Sequence, residues 1–286
     1  MNRRNFLFAT AGFAAQAVRG SESLPIKRAV EYNMLPQSMS IEDRLQQARD
    51  AGFEQVEFPT APDQNEADRM KRAAEMAGLR IHSVMNMDHW RFPLSSPDPE
   101  IIERSLSGAR TSIRNAHFWR ADTVLLVPGV VDAHHNYADV YRRSKDSILQ
   151  LLPLASELNI ILAIEEVWNK FLLSPLEFAT YIDSFNSKFI RAYFDVGNVV
   201  LYGFPQDWIR ILGQRIVKLH IKDFSFHKMV AKWEPLLEGD IDWRAVYESL
   251  RDIHYSGTAT VELPPGDAAY LKDVNQRFER ILSGQV

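Results

Sequence analysis

The chain contains no cysteine. Disulfides, thiolate metal sites and cysteine nucleophiles are therefore excluded, and any metal must sit on carboxylates, imidazoles and water. A basic block or Arg-rich helix is also missing: 33 Lys and Arg are interspersed with 37 Asp and Glu, for a formal net charge of −4. Without an electrostatic footprint for a phosphate backbone, nucleic acid is not an expected partner. The apolar stretch from Phe6 to Ala15 is too short for a stable bilayer-spanning anchor. No glycine-rich turn follows the first apolar run, where the chain reads Tyr32-Asn33-Met34-Leu35-Pro36, and this disfavours a doubly wound nucleotide-binding sheet. Nor does a linker or composition shift mark a second domain.

What is present is enough apolar material for a large core: 46% of 286 residues, with 11% aromatic. Residues 1–20 read as an address. Arg3-Arg4 precedes the short apolar run, and Ala15-Gln16-Ala17 has the small-x-small form of a signal-peptidase site, so the segment resembles a twin-arginine export signal. The expectation is a periplasmic or secreted protein whose single domain spans 21–286 and which has no membrane association once the signal is removed. A homo-oligomer is compatible with the sequence.

Beyond the signal, short apolar runs alternate with amphipathic helical stretches. The runs are Arg28 to Met34, Gln55 to Phe58, Leu79 to Val84, Thr123 to Val127, Ile160 to Glu166, Ile190 to Val196, Ile216 to Ile221 and Thr258 to Leu263. Ser40 and Asp43 form a capping pattern for a helix over 40–51, and a second helix over 66–77 stops at Gly78. Eight such runs, with longer insertions after the third and seventh, predict a closed parallel (β/α)₈ barrel.

Polar residues interrupt the ends of four consecutive runs: Glu166, Asp195, His220 and Glu262. In a barrel those ends converge on one mouth, where an unpartnered buried carboxylate would cost several kcal/mol, so one shared cation is the economical explanation. Three carboxylates and an imidazole suit Mn²⁺ or Mg²⁺, with Co²⁺ and Zn²⁺ as alternatives. Taken singly, each residue reads as well as a helix cap, a surface ion pair or a structural hydrogen-bonding group.

The blocks Glu166-Val167-Trp168-Asn169, Phe194-Asp195-Val196-Gly197-Asn198, Lys218-Leu219-His220-Ile221-Lys222-Asp223, Glu238-Gly239-Asp240-Ile241-Asp242-Trp243 and Val261-Glu262 carry a family resemblance. Together they resemble the xylose-isomerase-like sugar isomerase/epimerase superfamily, which includes ketose 3-epimerases and hydroxypyruvate isomerase. The resemblance implies that Glu166, Asp195, His220 and Glu262 hold a metal and that Glu166 and Glu262 also transfer protons. Glu166 is chosen over Glu165 because the Glu-x-x-Asn pattern then falls on Asn169, and Glu165 is expected to point the other way across the pleat. Two departures bear on the substrate. Asn198 stands where ketose 3-epimerases tend to carry a histidine, and only Lys222 answers to their arginine after the seventh strand.

The reaction implied is proton abstraction next to a sugar carbonyl, through an enediolate, with a glutamate pair as acid and base. The alternative on the same scaffold is a lyase that cleaves 3-keto-glycosides by β-elimination. Asn198, Lys222, His82, Glu57 and Trp168 are candidate contacts to a small-molecule sugar, with Trp90 and Trp233 as further stacking candidates. A structural hydrogen bond accounts equally for His82, and Lys222-Asp223 reads more simply as an ion pair. His89, His134, His135 and His227 fall in loops and read as surface residues.

Overall fold

The computed structural model describes residues 23–227 and 230–286; the export-signal expectation at 1–20 and the side chain of His227 lie outside the described residues. The strands are β1 (Lys27–Glu31), β2 (Gln55–Pro59), β3 (Arg80–Met85), β4 (Thr123–Leu126), β5 (Ile161–Glu165), β6 (Ile190–Asp195), β7 (Ile216–Ile221), the hairpin pair β8 (Asp223–His227) and β9 (Val230–Glu234), and β10 (Thr258–Val261). Eight of them close into a parallel barrel in the order β1-β10-β7-β6-β5-β4-β3-β2, and β8-β9 stands apart as an antiparallel hairpin. The helices are α1 (Ile41–Asp50), α2 (Gln64–Ala77), α3 (Pro99–Trp119), α4 (Tyr137–Glu157), α5 (Pro175–Asp183), α6 (Pro205–Leu212), α7 (Trp243–Asp252) and α8 (Ala268–Leu282). The expected barrel is thus the observed one, and the two long insertions hold the 86–98 loop and the hairpin.

Local chemistry sets the boundaries. Ser40 Oγ accepts the Asp43 N–H at 3.1 Å, satisfying an amide that the first turn of α1 leaves free. Asp63, Asp98, Asn136, Ser174, Asp242 and Asp267 cap α2, α3, α4, α5, α7 and α8 by the same device.

The core has two compartments. The main cluster packs the outer strand faces, such as Val30, Val56, Leu162, Ile164 and Leu219, against the helices. A smaller inner cluster of Leu125, Val127, Ala163, Val167 and Tyr193 fills part of the barrel itself. The rest of the interior is polar. Glu57 Oε2 accepts from the Tyr193 hydroxyl at 2.6 Å and from Ser83, Tyr193 reaches Thr260 Oγ1 at 3.2 Å, and Thr260 meets His82 Nε2 at 3.0 Å.

Two register shifts position this layer. Val56 pairs with Ile81 but Glu57 with Ser83, so His82 is an extra residue in β3, and both it and Ser83 reach the interior. Ala192 pairs with Ile216 and Tyr193 with Lys218, which brings Asp195 level with His220 two pairs later.

Candidate metal centre

At the C-terminal ends of the strands, Glu165, Asp195, His220 and Glu262 each offer a ligand atom, and these atoms all lie within 4.8 Å of one another. His220 Nδ1 is the centre of the group, 3.0 Å from Glu165 Oε1, 3.2 Å from Glu262 Oε2 and 3.7 Å from Asp195 Oδ2. Asp195 and His220 are fully buried and Glu262 is partly open.

Three of the four residues are those expected; the fourth place is taken by Glu165. The expectation that Glu165 points away fails on strand phase. Glu165 alternates with Ile161 and Ala163, whose side chains pack in the barrel interior, and so it faces inward with them. Glu166 lies beyond the end of β5, where pleat alternation no longer governs direction. Its Oε1 accepts the Asp195 N–H at 2.8 Å, while its Oε2 is buried and accepts no hydrogen bond.

The donor set fits a hard or borderline divalent ion, being carboxylates with one imidazole. A second observation agrees: Glu166 Oε2, next along the chain from Glu165, is buried and has no hydrogen-bond partner. A buried carboxyl oxygen of this kind is costly unless a cation or a proton meets it.

The surrounding groups set the charges. Burial is the largest influence on Glu165, raised to about 7 although His220 pulls it down, and on Glu166, pushed well above the carboxylate range with Asp195 adding to the effect. Burial opposes ionisation of Glu262 as well, but Lys222 and then His220 outweigh it and hold that carboxyl below the usual range. The two glutamates expected to share proton transfer are therefore driven in opposite directions.

The other expected contacts divide. Glu57 is fully buried, and its Oε1 lies 2.9 Å from His220 Nε2, so it orients the imidazole from below and does not face the mouth. His82 is likewise sealed in the polar layer against Thr260. Asn198 donates its backbone N–H to Asp195 Oδ1 at 2.9 Å and its amide to the Glu166 carbonyl at 3.0 Å, tying the loop after β6 to the end of β5. Trp168 remains 40% exposed, with its Nε1 on the Asn198 carbonyl at 2.9 Å; Trp233 is 45% and Trp90 56% exposed.

Lys222 and Asp223 do not pair with each other as expected. The Lys222 ammonium approaches Asp195 and Glu262, whereas Asp223 Oδ2 accepts from Leu237 N, Gly239 N and Trp243 Nε1. Asp223 thereby anchors the Glu238 to Trp243 block. Gly239 lies so close to this carboxylate that any Cβ would strike Asp223 Oδ1 and the Phe224 carbonyl.

Sequence reasoning missed Glu165, Tyr193 and Thr260. Their signal was present as polar residues in inward phase on apolar strands, but for Glu165 it turned on where β5 stops, and Tyr193 lies beside a register shift that one strand does not display.

The fold matches solved sugar epimerases. A D-tagatose 3-epimerase-like protein aligns with a TM-score of 0.77 at 17% identity, covering 91% of this chain and 99% of its own. The 3-keto-D-glucoside 4-epimerase YcjR of E. coli aligns at 0.74 and 14% identity, covering 88% and 99%. By sequence, the L-ribulose-5-phosphate 3-epimerase UlaE of Escherichia coli O1:K1 is 25% identical over 254 residues, 85% of this chain and 88% of that one. These relatives are named as epimerases, which are isomerases. A family profile described as the xylose isomerase-like TIM barrel matches residues 45–279. The chain belongs to the xylose isomerase-like TIM-barrel family.

Proposed function

We propose that the protein is a divalent-metal-dependent sugar isomerase or epimerase that abstracts a proton next to a carbonyl. The observation that carries the reading is the convergence of Glu165, Asp195, His220 and Glu262 within 4.8 Å at the mouth, beside the buried Glu166 Oε2, which no donor satisfies. Asp195, His220 and Glu262 would hold the ion, with the Glu165–Glu166 pair closing the remaining side. When bound, the ion supplies Lewis acidity at the substrate carbonyl and charge to match the carboxylates. Mn²⁺ or Mg²⁺ suits this donor set best.

The residues of the chain do the rest. Glu262, held ionised beside Lys222, would take the carbon-bound proton, and the bond's electrons would pass to the carbonyl oxygen to give an enediolate. Glu166, whose carboxyl burial shifts towards the protonated form, would return the proton. Glu57 fixes His220 through Nε2 and so presents Nδ1 to the ion. Trp168 and Trp233, both partly exposed, offer faces to a sugar.

One observation favours a second reading in which the same proton abstraction drives β-elimination from a 3-keto-glycoside. Phe224 is buried 5.0 Å from Trp168 and 4.4 Å from Trp233, joining the two partly exposed indoles into one aromatic group against which the rings of a glycoside could stack.

Incubating the Mn²⁺-loaded protein in D₂O with ketoses, ketose phosphates and 3-keto-glycosides separates the readings. Deuterium at the carbon next to the carbonyl in an inverted or isomerised sugar supports the first, while released aglycone and an unsaturated sugar support the second. The absence of both deuterium uptake and aglycone release with every member of the panel would overturn both readings. E166Q and E262Q are expected to lower turnover by about 10²–10⁴ while retaining weakened metal binding. D195N is expected to recover much of its activity in excess Mn²⁺. If E165Q abolishes Mn²⁺ binding and E166Q does not, Glu165 is the ligand; the reverse result assigns Glu166.

A further inference from the structure

Lys222 follows β7 directly, is 4% exposed, and carries its ammonium into the centre of the acidic group. Nζ lies 2.6 Å from Asp195 Oδ2 and 2.5 Å from Glu262 Oε2. The side chain is built into place. Its stem crosses Gly197 so closely that a Cβ there would strike Lys222 Cγ, and its head lies 5.3 Å from the centre of the Trp233 ring. Gly197 itself has ordinary helical dihedrals, with φ −80° and ψ −37°, so what the position requires is the absence of a side chain and not a special backbone conformation.

Both contacts are at hydrogen-bond distance, between one ammonium and two carboxylates. The lysine thereby offsets part of the negative charge of the acidic group. Asp195 and Glu262 are also two of the groups that would hold the divalent ion. An ammonium and a divalent ion sharing these carboxylates repel each other at close range in a buried site.

We propose that Lys222 is a resident counter-cation that competes with the divalent ion for Asp195 and Glu262, so that the ion affinity of the site is set by this lysine as well as by the ligands. The proposal rests on the metal-binding reading above. It makes Lys222 a positioning residue: it holds two acids in register and yields them, in part or whole, when the ion enters.

Mn²⁺ titration by calorimetry of K222M, K222Q and the wild-type protein tests it, with thermal unfolding in EDTA and in saturating Mn²⁺ alongside. K222M is expected to bind Mn²⁺ at least about tenfold more tightly. In EDTA it should unfold several degrees below wild type, because Asp195 and Glu262 then face each other uncompensated, and Mn²⁺ should restore the difference. K222Q keeps a polar head of similar length and should change in the same direction, which decides the matter if K222M does not fold. K232M removes the same charge from an exposed lysine that pairs with Glu234, and its affinity should match wild type. Unchanged or weaker Mn²⁺ binding in both Lys222 variants would overturn the proposal while leaving the metal site intact, as would an equal gain in K232M. Absence of Mn²⁺ binding in wild type and variants alike would overturn the metal-binding reading itself, and this proposal with it.

Discussion

Among single residues, the buried polar groups carry the sharpest consequences. Asp223 accepts from the side chain of Trp243 and from the backbone of Phe224, Leu237 and Gly239, so D223A leaves four donors without a partner in a partly buried loop. A loss of about 3 kcal/mol or more in urea unfolding is expected, since each stranded donor costs on the order of 1–3 kcal/mol before water and relaxation recover some of it. A loss below 1 kcal/mol would mean that the loop is held elsewhere. His89 corrects an expectation of exposure: it is buried, and burial outweighs the pull of Asn86 and Glu262 to hold its pKa at about 4 against an ordinary 6.5. The folded chain therefore binds fewer protons here than the unfolded chain. The stability due to neutral His89 is present above pH 6.5 and is lost as pH falls from 6.5 towards 4. H89Q should flatten the fall in unfolding free energy across that window by up to about 3 kcal/mol. An unchanged pH profile would show that His89 is solvated.

At the level of elements, the β8-β9 hairpin is the insertion that follows the seventh strand. It begins one residue after Lys222, carries Trp233 on its return strand, and backs both Trp233 and Trp168 with buried Phe224. F224A should cost about 3 kcal/mol or more from the lost buried ring, and should weaken sugar binding because both indoles lose the surface that orients them. Tryptophan fluorescence during sugar titration checks the second effect; unaltered binding would place the sugar away from the hairpin. Strand β5 shows where reading by element reached its limit. Its existence and its glutamate end were legible, but which of two adjacent glutamates turns inward depends on where the strand stops, and Glu166 is the first residue past it.

For the molecule as a whole, ligand linkage and address give the remaining expectations. An ion that binds only the folded chain, at a free concentration 100 times its Kd, adds about 2.7 kcal/mol, which for a chain of this size raises Tm by roughly 5 °C. Scanning calorimetry with Mn²⁺ and with EDTA checks this, and identical midpoints would count against a metal site. We propose further that Arg3-Arg4 direct export of the folded chain, so that replacing both with lysine leaves active protein in the cytoplasm. Export undiminished by that change would refute the signal reading. Among the described residues no helix is long and apolar enough to cross a membrane.

The sequence by itself determined the architecture, because strand and helix periodicities, caps such as Ser40 and the glycine stop at Gly78 are local properties that a single chain displays. It also placed Asp195, His220 and Glu262 at strand ends, since the barrel sends every such end to one mouth. Only the tertiary structure decided what lies inside. The register shifts at His82 and Val217 change which residues face the interior, and they arise from how neighbouring strands fit around a closed circuit, not from either strand's own sequence. Folding likewise brings Glu57 to His220, Glu165 into the acidic group, and Lys222 away from its sequence neighbour Asp223 towards Asp195 and Glu262. Such pairings are chosen among charges brought close by folding, and their separations along the chain carry no record of that choice.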